Sequence, residues 1–432
     1  MGARGPLSVK QTREVLKKAG VNGAELDSLQ RHLAIEGEVA ETPLVAGNRV
    51  AVLRNGENTF RAMFAAIRGA KSHINLEYYI LENVESDGQK LSDLLLAKTH
   101  EGVGVNIIYD SYGSDNTAAA FFQTLKDGGA NLVSFNPVNP LNAHGSYKPN
   151  DRDHRKILVA DGGLGIVGGI NLSTTYQSSG IGKSGGELEG KNGAPLPAQG
   201  AGAPQWHDTD LEIRGPVVAQ LQTLFLEHWK SQKGPPLDEA GFFPKVAAMG
   251  PDVVRIIGSG PSHDLPRYYV TLLSAIRSAE KTIRMTAAYF VPTRQESEDL
   301  IDAARRGVDV RLLLPGQSDS RFSIAVQHGH NSALLKAGIK IYETQGVVLH
   351  SKSVVIDGVW SVVGSSNLDH RSVLFNDEVD AVVLSAGTAS GLEKLFDAEV
   401  EHAQAIDPKV WRQRSFRHWM GDAAAKTWQS LL

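Results

Sequence analysis

Two stretches of this chain decide its fold: HRKILVADGGLGIVGGIN at residues 154–171 and HSKSVVIDGVWSVVGSSN at residues 350–367. Each contains a histidine, a lysine two positions later, an aspartate five positions after the lysine, and an asparagine that follows a Gly-containing turn. The spacing of these residues is the same in both stretches, and chance rarely produces such a set twice. The sequence therefore predicts an internal repeat.

Each stretch has the pattern of a β-hairpin. An apolar run follows the lysine, ends at an Asp-Gly turn, and is followed by a second apolar run. Asp161 and Asp357 occupy these turns, which favours a structural role for both. Residues two apart in a strand share a face, so His154 should project beside Lys156.

The second copy places His350 beside Lys352 in the same way. The returning strands should bring Asn171 and Asn367 to the same ends of their hairpins. If the two halves face each other, two imidazoles, two ammonium groups and two amides converge. Cations and amides suit the oxygens of a phosphodiester. A neutral imidazole can attack phosphorus, while a protonated one gives its proton to the leaving oxygen.

Strand and helix patterns alternate around these motifs, which predicts an α/β fold. The 432 residues exceed a typical single core, so we expect two domains. We divide the chain into a helical extension at 1–42, a first domain at 43–240 and a second at 241–432. The segment 180–204 has the composition of a flexible loop, and the C-terminus that of an amphipathic tail.

Composition narrows the class of protein. The chain has 41% hydrophobic and 21% charged residues and a formal charge of −4. No apolar run is long enough to span a bilayer, so we expect membrane contact to be peripheral. The acidic balance disfavours nucleic acid as a partner. There is no cysteine, and the chemistry above needs neither a metal nor another cofactor.

The twin motif resembles that of the phospholipase D superfamily. Residues 75–80, 206–216 and 366–372 are also similar to bacterial cardiolipin synthases, in particular to the short form without N-terminal membrane helices. The resemblance implies two tandem α/β/α sandwich domains of the phospholipase D type, which form a pseudo-twofold fused dimer with one active site at the interface.

The resemblance also implies further site residues. Acidic residues of the opposite half orient the histidines, so Asp208 is expected behind His350 and Glu378 behind His154. By the same analogy His154 is the nucleophile, and His350 is the acid and base. Ser365 is expected to contact substrate together with the two motif asparagines. The first copy has Gly169 at the position of this serine, which puts one hydroxyl contact in doubt.

The implied reaction transfers a phosphatidyl group between two phosphatidylglycerol molecules at the cytoplasmic face of a bacterial membrane. Two alternative activities remain open at this stage, a phospholipase D that uses water or another alcohol and a nucleic-acid phosphodiesterase. A catalytically dead relative is disfavoured because both His-Lys pairs are present. The fused pair already completes one site, so the sequence leaves the oligomeric state open.

Overall fold

The computed structural model describes residues 9–18, 23–137, 148, 150–177, 205–263, 265–318 and 320–414. The loop expected at 180–204 and most of the predicted tail lie outside this part of the chain. Among the helices described, none is both long and apolar enough to cross a bilayer. Trp411, at the start of the predicted tail, donates a hydrogen bond from Nε1 to Ser332 at 3.1 Å.

The first half alternates strands and helices after two N-terminal helices. In chain order its elements are α1 Val9–Lys18, α2 Gly23–Ala40, β1 Val45–Arg54, α3 Asn55–Gly69, β2 His73–Tyr78, β3 Glu85–Ser86, β4 Gln89–Lys90, α4 Leu91–His100, β5 Gly104–Asp110, α5 Ala119–Asp127, β6 Asn131–Phe135, β7 Arg152–Asp153, β8 Lys156–Ala160, β9 Leu164–Gly168, a 3₁₀ turn at Thr174–Gln177, β10 Gln205–His207, β11 Thr209–Arg214 and α6 Val218–Ser231.

The second half repeats this alternation. Its elements are β12 Asp252–Ser259, α7 Arg267–Ser278, β13 Thr282–Thr286, α8 Arg294–Arg305, β14 Asp309–Leu314, α9 Arg321–Lys336, β15 Lys340–Glu343, β16 Val347–Leu349, β17 Ser353–Ile356, β18 Trp360–Gly364, α10 His370–Leu374, β19 Asn376–Leu384, α11 Ala386–Val400, β20 Gln404–Ala405 and α12 Pro408–Arg412. The proposed division at residue 241 falls between α6 and β12.

Both halves arrange their strands in the same spatial order. The first runs β1-β11-β9-β8-β2-β5-β6 and the second β12-β19-β18-β17-β13-β14-β15. Strand β1 pairs antiparallel with β12, so the two sheets are continuous. In each half, parallel strands flank an antiparallel hairpin that carries the motif. This arrangement confirms the predicted α/β repeat.

The motif strands are buried on both faces, which explains why their sequences are almost wholly apolar. Ile157 and Val159 contact a central core shared by the two halves. The alternate residues Leu158 and Ala160 contact the core beneath α3 and α4. Full burial of one such aliphatic side chain contributes about 1.5–3 kcal/mol, so the hairpins are firmly held.

The motif aspartates fix the hairpin turns to the rest of the sheet. Asp161 has a φ of 51° and Asp357 a φ of 53°, as a turn with positive φ requires. The Asp161 carboxylate accepts backbone N–H groups of residues 71–73, and that of Asp357 accepts those of residues 280–282. Both side chains thus act on the backbone that leads into the neighbouring strand.

The N-terminal helices pack onto the second half. Leu26, Leu29 and Leu33 of α2 belong to the same buried cluster as Leu272 of α7. Beside them, the buried Glu36 carboxylate accepts from Arg255 at 2.9 Å. The predicted extension is therefore integrated into a core.

Candidate active site

A cavity of about 310 Å³ lies where the two halves meet, at the ends of the motif hairpins. Two parallel strand pairs, β7 with β19 and β10 with β16, cross between the halves beside it. Each pair joins the residue before a motif histidine to the residue before an acidic residue of the opposite half, because Asp153 is opposite Asp377 and Leu349 is opposite His207. The sheet thereby positions both histidines.

His154 lines the cavity and contacts Glu378 of the second half. Its Nδ1 atom lies 2.9 Å from Oε2 and 3.1 Å from Oε1 of that carboxylate. Glu378 is fully buried and also accepts from Ser372 at 2.8 Å and from Asn376 at 3.1 Å. The hydroxyl of Ser365, for which the sequence predicts substrate contact, donates to Glu378.

His350 has the equivalent contact with the first half. Its Nδ1 atom lies 2.7 Å from Oδ2 of the buried Asp208. The phenol oxygen of Tyr176 lies 2.9 Å from the same nitrogen. Each motif histidine therefore contacts a carboxylate from the other half through Nδ1, and a neutral ring with Nδ1–H donating to that carboxylate keeps Nε2 unprotonated.

The lysines and asparagines complete the predicted set. Lys156 and Lys352 are buried, and each donates from Nζ to the carbonyl oxygen of the histidine two residues before it. Asn171 and Asn367 line the cavity. Oδ1 of Asn171 accepts from the backbone of Ile80 at 3.2 Å, which leaves its amide nitrogen as the donor.

Comparison with known proteins identifies this arrangement. A family model described as "Cardiolipin synthase, PLD-like domain" matches residues 63–179 and 272–400, so it covers both motifs. The chain belongs to this phospholipase D-like family. It is 34% identical over 403 residues to a cardiolipin synthase of Geobacillus kaustophilus, with 93% of this chain and 76% of that protein covered.

A second cardiolipin synthase and a solved structure are also similar to this chain. Cardiolipin synthase A of Pseudomonas fluorescens is 32% identical over 398 residues, covering 91% of this chain and 77% of that protein. Among solved structures, phosphatidylserine synthase of Haemophilus influenzae superposes with a TM-score of 0.66 at 12% identity and covers 93% of this chain. That structural similarity supports the fold, and the family prediction is confirmed.

Burial sets the protonation of the groups in this phospholipase D-like site. It lowers the pKa of His154 to about 4; Glu378 opposes this shift, whereas Lys156 adds to it. Burial likewise lowers the pKa of Lys156 to about 7, and burial with the Lys352 charge lowers that of His350. A bound phosphodiester brings negative charge, which favours the protonated form of each cation.

Several residues around the cavity were not predicted from the motif. Tyr176 and Trp206 contact the ring of His350, and Tyr79 lies edge to face with His154 at 5.3 Å between ring centroids. Continuing the alignment of the two copies beyond their asparagines would have drawn attention to Tyr176, because it takes the place of Ser372.

A buried charge network supports the strand that carries His154. Arg155 lies 3.3 Å from Glu77 and 3.4 Å from Asp377, and its Nε donates to the carbonyl oxygen of Glu378 at 3.2 Å. His228 lies 2.7 Å from Glu77. Burial opposes its protonation, but Glu77 and Asp153 outweigh burial and raise the pKa of His228 to about 9.

Ligand atoms of Glu77, Asp153 and His228 lie within 4.8 Å of one another, a spacing that a metal ion could use. The guanidinium of Arg155 and the protonated ring of His228 already supply positive charge to these carboxylates. We therefore interpret the cluster as an ion network between the two halves.

Proposed function

We propose that this chain is a phosphatidyltransferase of the cardiolipin synthase type, which joins two phosphatidylglycerol molecules and releases glycerol. The observation that carries the proposal is the crossed pairing of His154 with Glu378 and His350 with Asp208, at 2.9 and 2.7 Å, around one cavity. Two imidazoles held in this way can divide nucleophilic and acid-base work. The similarity to cardiolipin synthases supports a phospholipid as substrate.

In the first step, Nε2 of His154 attacks the phosphorus of the donor lipid. The bond from phosphorus to the oxygen of the headgroup glycerol breaks, and protonated His350 gives its proton to that oxygen. Lys156 and Lys352 stabilise the charge that gathers on the non-bridging oxygens, together with the amides of the motif asparagines. The products are free glycerol and a phosphatidyl group bound to His154.

In the second step, the hydroxyl of another phosphatidylglycerol gives its proton to His350 and attacks the same phosphorus. The phosphorus–nitrogen bond breaks, cardiolipin leaves, and His154 is again neutral. Glu378 favours the tautomer that attacks, and Asp208 stabilises the imidazolium form of His350. Attack by water on the same intermediate would give phosphatidic acid, so a phospholipase D activity differs only in its acceptor.

The substrate is embedded in a bilayer, so the chain must reach a membrane surface. We propose a peripheral association that presents the cavity to lipid headgroups. Vesicle co-sedimentation of the full chain measures this directly; a chain that turns over phosphatidylglycerol without binding vesicles would contradict it.

The test of the reaction is incubation of the purified chain with phosphatidylglycerol vesicles, followed by mass spectrometry of lipids and assay of free glycerol. We expect cardiolipin and glycerol in equal amounts, lost in His154→Ala and retained in the exposed control Arg305→Gln. Phosphatidic acid as sole product would make the chain a hydrolase. Inert lipid with cleavage of bis-p-nitrophenyl phosphate would contradict the lipid substrate.

A further inference from the structure

The cavity has one wall whose charges the repeat does not explain. The histidines, lysines and asparagines occur once in each half, as a single central phosphodiester requires. Arg152 and Arg371 also line the cavity, but their equivalents in the other half carry no charge. In the crossed strand pairs, Arg152 is opposite Asn376 as Val348 is opposite Trp206.

The residue equivalent to Arg371 in the first half is found from its separation in sequence from the motif asparagine. Arg371 lies four residues after Asn367, and Thr175 lies four residues after Asn171. The charged wall is therefore a feature of one side of a site whose centre is symmetric. A feature of this kind can recognise the part of the substrate that differs between the two sides of the central phosphate.

The two arginines lie close to the reacting groups. Tyr79, His154 and both arginines line the same cavity. Burial, Asp110 and Tyr112 raise the pKa of Tyr79 to about 12, and both guanidinium groups oppose that shift. The ring of Tyr79 contacts His154. The wall thus adjoins the reaction centre.

The wall also has structural anchors. The guanidinium of Arg152 lies 3.5 Å from Asp110 and over the ring of Tyr112, and Arg371 donates to the carbonyl oxygen of Asn150 at 3.2 Å. Asp369 lines the same wall, and burial and Glu378 raise its pKa to about 6. It is largely ionised at neutral pH and offsets one of the two guanidinium charges.

We propose that Arg152 and Arg371 form a second anion subsite, which binds the phosphodiester of the acceptor lipid. The inference rests on the proposed function, in which the acceptor brings its own phosphate a glycerol unit away from the attacking hydroxyl. The lysines and asparagines hold the donor phosphate, so the acceptor phosphate needs cations of its own. Guanidinium groups bind phosphate oxygens in pairs, which fixes orientation as well as charge.

The subsite explains how the enzyme selects a lipid alcohol over water. Water and glycerol carry no charge and gain nothing from the arginine wall. An acceptor with a phosphate is held with its hydroxyl near the phosphorus, which raises its effective concentration there. Selection between acceptors is therefore separate from the chemistry of the two histidines.

The test is a competition between two water-soluble acceptors, glycerol 3-phosphate and deuterated glycerol, at equal concentration in mixed micelles of detergent and phosphatidylglycerol. Mass spectrometry gives the ratio of phosphatidylglycerophosphate to deuterated phosphatidylglycerol. Both products come from one reaction mixture, so a loss of folded protein or overall rate cancels. We expect the wild-type chain to favour the phosphorylated acceptor, and Arg371→Gln to lower the ratio about tenfold, the loss of one charge-assisted contact.

Arg371→Lys should keep part of the preference because it keeps the charge. Arg305→Gln, an exposed cation outside the cavity, should leave the ratio unchanged. Arg152 is a poorer test because its loss would leave the buried Asp110 without its cation. A ratio that is the same in the wild-type chain and in Arg371→Gln overturns the subsite.

Two further outcomes are informative. The first distinguishes an acceptor phosphate from the bilayer surface as the bound anion, and the second distinguishes failure of the subsite from failure of the proposed function. If the arginines hold the anionic surface of the bilayer, Arg371→Gln will weaken vesicle binding and lower both products in the same proportion, so that the ratio stays constant, which also overturns the subsite. If the chain only hydrolyses lipid, the proposed function fails. Inhibition of that hydrolysis by glycerol 3-phosphate then tests the subsite, since inhibition equal in both chains would contradict it.

Discussion

The two halves of the site hold the same reacting groups in different surroundings. Around Glu378, small polar side chains supply hydrogen bonds from three directions. Around Asp208, the same positions carry a glycine and two aromatic residues. The equivalent pairs are Ser365 and Gly169, Ser372 and Tyr176, and Asn376 and Trp206. The symmetric residues suit a symmetric phosphate, and the unmatched ones distinguish the two histidines.

Steric fit explains one of these differences. A Cβ atom at Gly169 would lie 2.2 Å from Oδ1 of Asp208, which is closer than atoms can approach. Ser365, at the same position of the other copy, lies beside the longer Glu378, which accepts its hydroxyl. The identity of the acidic residue and that of the residue after the motif glycine are therefore linked in each half.

The regions behind the two histidines also differ. Glu77 is opposite Ile157 and Thr286 is opposite Ser353, each one residue after the motif lysine, so Glu77 and Thr286 are equivalent. The charged Glu77 belongs to the network with Arg155 and His228. The corresponding region near Thr286 contains a small cavity, beside which Glu399 lies 2.7 Å from Arg54 and 2.8 Å from His207. Both histidine strands therefore have ionic support, but the network behind His154 is the more deeply buried of the two.

Replacing the histidines should give the largest effect and separate their roles. With phosphatidylglycerol, His154→Ala and His350→Ala should each lower kcat by about 10⁴-fold or more. A second, ³²P-labelled donor has p-nitrophenol as its leaving group in place of glycerol. Because p-nitrophenolate is a weak base, it leaves phosphorus without a proton from His350. Denaturation at alkaline pH, where the acid-labile phosphorus–nitrogen bond survives, should then trap label on protein in His350→Ala and none in His154→Ala. Label in His154→Ala alone would reverse the assignment.

Neutralising the acids should give the next largest effect. Glu378→Gln and Asp208→Asn keep the shape but lose the charge that selects the tautomer, so each should lower kcat by about 10³-fold. With the p-nitrophenyl donor, Glu378→Gln should slow formation of the labelled intermediate more than Asp208→Asn does. Equal losses with both donors would mean that the acids do not distinguish the histidines.

Much of this site could be predicted because the motif repeats in the sequence. His154, Lys156 and their partners share a spacing that a hairpin converts into a common face. Arg152 could not be found in this way, because its wall joins β7 to α10 across the two halves. The Glu77–His228 contact also depends on tertiary packing between distant segments.

Prediction of the N-terminal helices was limited in a similar way. Helix formation depends on nearby residues in the sequence, whereas the packing of α2 on the second half depends on which leucines contact α7. The sequence predicts an extension, and it cannot state which core receives those leucines.

Two buried histidines should affect stability at opposite ends of the pH range. His154 has a folded pKa of about 4, below its unfolded value, so its contribution is lost as pH falls from about 6.5 to 4. His228 has a folded pKa of about 9, so its contribution is lost as pH rises from about 6.5 to 9.

Each contribution amounts to about 3 kcal/mol. Urea unfolding should show that His154→Gln removes the acid limb and His228→Gln the alkaline limb. Lys230→Gln, an exposed control on α6, should keep both limbs. Persistence of the alkaline limb in His228→Gln would contradict the charged state assigned to that network.

A new Cβ atom at Gly169 tests the steric link between this position and the acidic residue of the same half. Gly169→Ala should push the Asp208 carboxylate away from His350 and lower kcat by about 100-fold, since small misplacements of reacting groups cost that much. Ser365→Ala removes only one of several hydrogen bonds to Glu378 and should cost about tenfold. A milder effect of Gly169→Ala than of Ser365→Ala would show that the first half can accommodate the added atom.

The smallest effect is expected at the equivalent hydroxyls of Tyr176 and Ser372. Tyr176→Phe removes an oxygen 2.9 Å from Nδ1 of His350, and Asp208 remains to hold the ring. Ser372→Ala removes one donor to Glu378 and leaves Ser365 and Asn376 in place. Each should lower kcat less than about tenfold, the value of one neutral hydrogen bond.

The pH profile distinguishes the two variants. Tyr176→Phe acts on the acid-base histidine and should shift the alkaline limb of kcat, whereas Ser372→Ala acts on the nucleophile and should shift the acidic limb. Profiles that move together would mean that the two hydroxyls stabilise the fold and do not tune the individual histidines.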